Sequence, residues 1–445
     1  MRTARFTCIV LLFCLFCYPC AGFSDSQAPC FAAWSRSELE KYAWTAWRSS
    51  VLLPIELDSE PCPITIMGPT TAARNTEVHG ATNLKIAAEA PNEAAQADSE
   101  TSTYNALMTL YTSTNGPSWL QSWNWGNATL SVCQWYGICC NATADEFLSC
   151  PMPNWEKGNF SGTCCTPSGI ITSLYLPENN LQGLIPPELA QLTALSALYL
   201  NGNALVGPIP AAFGQLKALS SLHLGNNQLN GTIPSELGQL LNLAALRMSH
   251  NNLTGTIPSI LGQLSALQHI DFSSNELKGR IPSEFGELSS LTVLSLSHND
   301  LTGTIPSVLG QLRNLTGIHL HSNQLTGTIL SELGQLQALR CLELASNQLH
   351  GEISLVLGQL RALESLDIAS NAFTGTIPSI LGQLSNLTGL RLHSNQLTGT
   401  IPSELGQLNA LRRLELSSNL LSGTIPSKLG QLISLKKLRL FANQL

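Results

Sequence analysis

Charge is what this chain lacks most. Asp, Glu, Lys and Arg make up 11% of its 445 residues, against about a quarter in ordinary domains. The net balance of −7 supplies no basic stripe to neutralise phosphates, so nucleic acid is excluded as a partner class. Aromatic residues are few, at 6%, and all eight tryptophans occur at or before Trp155. Beyond the first 22 residues no run is apolar for long enough to cross a bilayer, so no membrane span is expected there. The spacings that carry catalysis are missing as well. There is no HExxH, no phosphate-cradling glycine loop and no recurring Ser-His-Asp arrangement. The reading is therefore a non-enzyme that calls for no cofactor.

What is present begins with MRTARFTCIVLLFCLFCYPCAG, residues 1–22. Arg2 and Arg5, an apolar core and the small residues Ala21 and Gly22 read as a secretory signal, which places the mature chain outside the cell or on its surface. Four of the 13 cysteines fall within it. Eight more precede the repetitive region: Cys30, Cys62, Cys133, Cys139, Cys140, Cys150, Cys164 and Cys165. An even, clustered set in a secreted chain reads as disulfides, with pairing left open. A zinc site would need a reducing compartment and nearby histidines. Cys341 is left over within a repeat and reads as packed. Residues 23–100 read as a poorly ordered region and linker, rich in Ala, Thr, Asn and Glu towards its end. Residues 101–169 form a Trp- and Cys-rich block suited to sealing one end of an apolar stack.

From about Ile170 a period takes over. Asparagines in the frame LxLxxNxL stand at Asn179, Asn203, Asn227, Asn251, Asn275, Asn299, Asn323, Asn347, Asn371, Asn395, Asn419 and Asn443, at intervals of 24 without a slip. Residues 170–445 thus hold eleven full coils and a partial twelfth, with no Cys-bearing C-terminal cap. A coil cannot bury its leucines alone, so the coils must stack into a solenoid. In Leu222-His223-Leu224 the alternation sends leucines inward and His223 outward, as in a short strand. Strands of successive coils pair at about 4.8 Å, so twelve span roughly 50 Å. The asparagine amide both donates and accepts, which suits it to satisfying the buried turn. Gly231 relieves a tight backbone path and Pro234 fixes the exit into SELGQL, a short helical turn on the convex side. Leu330 and Ser354 replace that proline in two coils.

The element LxGxIP after the asparagine, as in Leu229, Gly231, Ile233, Pro234 and in Leu397, Gly399, Ile401, Pro402, resembles the plant-type extracellular leucine-rich repeat. The stretch SWLQSWNWGNATLSVCQWYGICC resembles that family's N-terminal cap, with Trp135 and Gly137 between Cys133 and Cys140. The resemblance implies an α/β repeat fold: a right-handed solenoid with a concave parallel β-sheet, a second small sheet at the IP element and short helical or 3-10 turns on the convex side. It also implies a Cys133–Cys140 bridge, with Cys139, Cys150, Cys164 and Cys165 as further cap candidates. Family members are ligand-binding ectodomains of receptor-like kinases, receptor-like proteins and secreted inhibitors.

The leucines hardly vary between coils, whereas the outward column does. It reads Tyr175, Tyr199, His223, Arg247, Asp271, Ser295, His319, Glu343, Asp367, Arg391, Glu415, Arg439. With His321 and His393 beside it, this column is the candidate site for a protein, peptide or glycan partner. Tyr175 and Tyr199 are suited to anchoring a side chain or a sugar ring. Neutral imidazoles at His269, His298, His319, His321 and His393 would charge in an acidic space. His319 and His321 alone offer a metal two ligands, too few for a site. Sequons at Asn127, Asn141, Asn159, Asn230, Asn252, Asn314 and Asn386 read as glycosylation sites, Asn314 and Asn386 on the convex side. Two other readings stay open: a structural or adhesive wall component, and a receptor-kinase ectodomain that continues past Leu445 or meets a co-receptor there.

Overall fold

The computed structural model describes residues 93–140 and 170–445, with side chains from 101 onward. All of them lie in the second of two units, Ile66–Leu445. The signal segment, Cys30, Cys62, Cys150, Cys164, Cys165 and the sequons at Asn141 and Asn159 fall outside the described residues.

Each coil is built in the order its sequence dictates. Three residues form a strand, as in Ser221–His223, with Leu222 and Leu224 fully buried. The chain then turns at the ladder asparagine. A second strand, Gln228–Thr232 in this coil, leads to Ile233 and Pro234. A five-residue 3-10 helix follows, Ser235–Gln239, burying Leu237. Its glycine has a plain cause: Gly238 abuts the next coil so closely that a Cβ there would stand 2.8 Å from Ile260. Buried leucines of successive coils form one continuous core from Ala106 to Leu432, each contributing about 1.5–3 kcal/mol by leaving water.

Stacking produces two sheets. The first has 13 strands, of which twelve run parallel in strict register from Ile171–Tyr175 to Lys437–Arg439. The second has nine, from Gln182–Leu184 to Ala372–Thr374, and is prolonged by single bridges Thr376 to Thr398 and Ser422 to Gln444. This is the right-handed solenoid with a concave parallel sheet that the repeat implies.

The asparagines do the work their chemistry allows. Asn227 Oδ1 accepts from Leu205 N–H at 3.0 Å, and Nδ2 donates to Leu200 O at 2.9 Å and Leu224 O at 3.0 Å. Each asparagine thus satisfies a donor and an acceptor of the preceding coil. The first in the series, Asn179, instead bonds the cap, accepting from Gln121 N–H at 2.6 Å and donating to Gln121 O at 2.8 Å. The residue before each asparagine adopts a left-handed conformation, such as Ser322 (φ 57°) and His298 (φ 54°). Leu330 and Ser354 hold the extended path of the prolines they replace, Ser354 at φ −64° and Pro234 also at −64°.

The cap starts earlier than the sequence indicated. Helix α1, Glu93–Ser113, begins inside the stretch read as linker. Its Tyr111 packs on Trp119 and Trp125, and Tyr104 meets Trp135 edge-on at 5.5 Å. Strand β1, Ile138–Cys140, pairs antiparallel with β2, Ile171–Tyr175, and so closes the concave sheet. The Cys133–Cys140 disulfide is present. Cys139 is buried. Cys341, left over in the sequence reading, is buried and disulfide-bonded. At the other end Leu438, Phe441 and Leu445 are exposed, Leu440 partly so.

Candidate functional site

Register brings the outward column together. Tyr175 pairs with Tyr199, Tyr199 with His223, His223 with Arg247, and so on in unbroken sequence to Arg439. Every residue of the candidate column therefore neighbours the one 24 positions away. His321 and His393 lie two residues further along their coils, past strands Gly317–His319 and Gly389–Arg391.

The column is less free than its sequence variation implied. Tyr199 and Glu343 are each 8% exposed, Arg391 6% and Glu415 2%. Crowding on the inner curve hides side chains that point away from the core, and the charged ones pair along the column. His319 Nδ1 stands 2.8 Å from Glu343 Oε2, and His321 Nδ1 stands 3.5 Å from the same oxygen. Arg391 meets Asp367 at 3.3 Å. Glu415 gathers Arg439 at 3.1 Å, Lys437 at 3.3 Å and Arg413 at 3.7 Å. The half from His319 onward is thus occupied largely with itself.

The other half differs. Tyr175 and Tyr199 rings lie 5.3 Å apart and the Tyr199 ring lies 4.3 Å from His223. Arg247 follows with no carboxylate in ion-pair contact among the described residues, and Asp271 beyond it accepts from Ser273 N–H and Oγ–H. An aromatic step leading to a guanidinium results.

Protonation follows from burial. Burial lowers His223 to about 3, helped by the neighbouring Arg247 and His269. His269 is lowered by burial and by Arg247. Burial also lowers His321, although Glu343 opposes it. The expectation that imidazoles on this face charge in an acidic space is corrected for His269 and His321, and His223 behaves in the same way, because a cation there loses water and gains too little in return. Burial pushes Glu343 upward, but the hydrogen bond from His319 and the charges of His319, His321 and Arg391 outweigh it and hold the carboxyl below its ordinary value. Asp367 is raised by burial despite Arg391.

Among the described residues no group of three or more His, Cys, Asp or Glu is placed to hold a metal, and no helix is long and apolar enough to cross a membrane. Asn127, Asn230, Asn252, Asn314 and Asn386 are exposed. Asn314 and Asn386 sit at equivalent places after the convex turns, donating to Ser289 O and Arg361 O, both at 2.9 Å.

Three family descriptions match: leucine-rich repeat region over residues 234–357, leucine rich repeat over 361–421 and a further leucine rich repeat over 218–240. Among curated proteins no relative matches. Solved structures do. The Arabidopsis receptor kinase HAESA, in complex with the peptide hormone IDA and the co-receptor SERK1, is 32% identical over 78% of this chain and 54% of its own, with a TM-score of 0.66. The plant peptide hormone receptor RGFR1, in complex with RGF2, is 40% identical over 61% of this chain and 44% of its own, with a TM-score of 0.61. The chain spans about half the length of these receptor structures. A plant ice-binding protein is 25% identical over 78% of this chain and 98% of its own, with a TM-score of 0.54.

Proposed function

Because this chain belongs to the leucine-rich-repeat family in its plant-type extracellular class, we propose that it is a non-catalytic extracellular recognition module that binds a peptide on its concave sheet. The observation that carries this reading is the contrast within the column. From His319 onward the ionisable side chains pair with one another, whereas Tyr175, Tyr199, His223 and Arg247 form an aromatic run ending in a guanidinium that meets no acid among the described residues. Rigid aromatics and arginine are the side chains that dominate binding energy at interfaces. A peptide lying along the strands would set an apolar side chain on the tyrosines and an acidic group on Arg247. Similarity to receptors solved with peptide hormones supports a peptide over a glycan.

The test is capture of ligand from extracellular extracts by the intact protein and by the triple variant Tyr199→Ala, His223→Ala, Arg247→Ala. Loss of the captured species with an unchanged melting temperature supports the assignment. Equal capture rejects this half of the face, and the same experiment with Arg391→Ala reports on the other half.

A second reading is ice binding. The chain spans nearly all of the plant ice-binding protein it resembles, and its coils repeat one another so closely that residues 320–336 and 392–408 differ only at Leu330 and Pro402. Near-identity of coils suits a partner that is itself periodic.

A further inference from the structure

The second sheet carries an array that the concave face leaves unused. Five coils carry Thr-Gly-Thr on this face, at residues 254–256, 302–304, 326–328, 374–376 and 398–400, the last joined to the coil of the sheet's final strand by the single bridge Thr376 to Thr398, and two more end in the same Gly-Thr pair. Leu397 and Ile401 on either side are buried, so Thr398 and Thr400 both face solvent. Hydrogen bonds to the preceding coil fix the rotamer of four of the first threonines. Thr398 Oγ1 donates to Gly375 O at 3.1 Å, and Thr254, Thr302 and Thr326 make the equivalent bond at 3.3 Å. The second threonine lays its methyl over the next glycine. A Cβ at Gly399 would stand 2.9 Å from Thr376 Cγ2, and one at Gly423 3.0 Å from Thr400 Cγ2. These glycines therefore do more than permit a positive φ: they leave room for the methyl. The outcome is two parallel ranks of methyls and hydroxyls in repeated orientation, stepped at the strand spacing of about 4.8 Å.

The ranks are longest where nothing interrupts them. Lys278 with Arg280, and His350 with Glu352, break the array in two coils, and sequons at Asn230 and Asn252 lie among its first coils. From Thr374 to Thr424 three consecutive coils carry no charge and no sequon on this face. Identical ranks hold no information for telling one peptide from another. Sugar polymers are gripped by aromatic platforms, and no aromatic side chain stands outward on these strands. What the face does fit is a neutral partner whose own hydrogen-bonding groups recur in rows at a similar step. Oxygen rows on an ice surface have that form, and threonines already fixed in one rotamer lose little entropy on meeting them.

We infer that Thr374, Thr376, Thr398, Thr400, Ser422 and Thr424 form an ice-adsorbing surface, an assignment that rests on the second reading above. The test is partition of the full protein into a slowly growing ice hemisphere, alongside the double variant Thr398→Lys, Thr400→Arg. That variant copies the pair Lys278 and Arg280, which the fold already accommodates at the equivalent place. Gln335→Tyr, on an exposed convex turn, is the control. Enrichment of the wild type and of the control in ice, with exclusion of the double variant, is the expected result. Equal enrichment of all three overturns this surface and leaves ice binding itself standing. Exclusion of the wild type overturns both. Retention on crystalline cellulose that the double variant abolishes, without enrichment in ice, reassigns the array to a polysaccharide and overturns the inference.

Discussion

Ser354 stands where most coils have proline, at φ −64°, and donates no backbone hydrogen bond. Proline there would remove freedom from the unfolded chain without disturbing the folded one. Ser354→Pro should therefore raise stability by about 0.4–1 kcal/mol, read as a higher urea midpoint at unchanged slope. Asn323 presents the opposite case. It bonds Leu296 O at 2.9 Å and accepts from Leu301 N–H at 3.0 Å, and these groups belong to the preceding coil. Asn323→Ala strands both and should cost on the order of 1–3 kcal/mol. Hydrogen exchange would show the loss as faster exchange at Leu301, and unchanged exchange there would contradict the ladder. The asparagine's role was legible from its spacing and from its amide, which both gives and accepts. The left-handed residue before it was not. Serine, asparagine and histidine occupy that place without a pattern strong enough to announce a positive φ, and Ala442 occupies it too.

At the scale of the element, the concave strands convert burial into a pH dependence. Folded His223 stays neutral down to about 3, whereas an exposed imidazole takes its proton near 6.5. Between those values the unfolded chain binds the additional proton, so stability falls as pH falls. For His223 alone the slope approaches 1.4 kcal/mol per pH unit at most. His269 and His321 are shifted in the same direction. The melting temperature should thus drop steadily on acidification from pH 7 to 4, and His223→Gln should flatten that drop. A melting temperature independent of pH would show that these histidines are not buried in solution. Strand pairing makes the ion pairs intelligible as well. Asp367 and Arg391, and Glu415 and Arg439, are each 24 residues apart and opposite in sign, and His319 stands 24 residues from Glu343, so their contact was implicit in the period. Helix α1 was hidden by contrast, because its Ala-, Thr- and Glu-rich start matches the composition of a linker. The threonine ranks were visible as letters, but only the distance from each methyl to the next glycine gives them a fixed orientation.

At the scale of the whole molecule, the same repetition makes the solenoid nearly one-dimensional, each coil answering only to its neighbours. A coil should therefore be removable if the junction preserves the frame. Excision of residues 349–372 joins Gln348 to Phe373, and since Asn347-Gln348 occupies the same frame as Asn371-Ala372, the ladder asparagine and the strand after it keep their spacing at the joint. The shortened chain would keep the cap, the disulfide-bonded Cys341, the aromatic run and Arg247, and would set Glu343 beside Arg391. It should fold cooperatively, with an unchanged circular dichroism signal per residue and a maximum dimension in solution scattering reduced by about 5 Å. Peptide capture should persist, because the proposed contacts lie in earlier coils. Ice enrichment should persist also, because the longest threonine ranks begin after the joint at Thr374. A collapsed or aggregated product would mean that stability is set by something beyond nearest neighbours, and the separation of scaffold from recognition argued for both faces would then fail together.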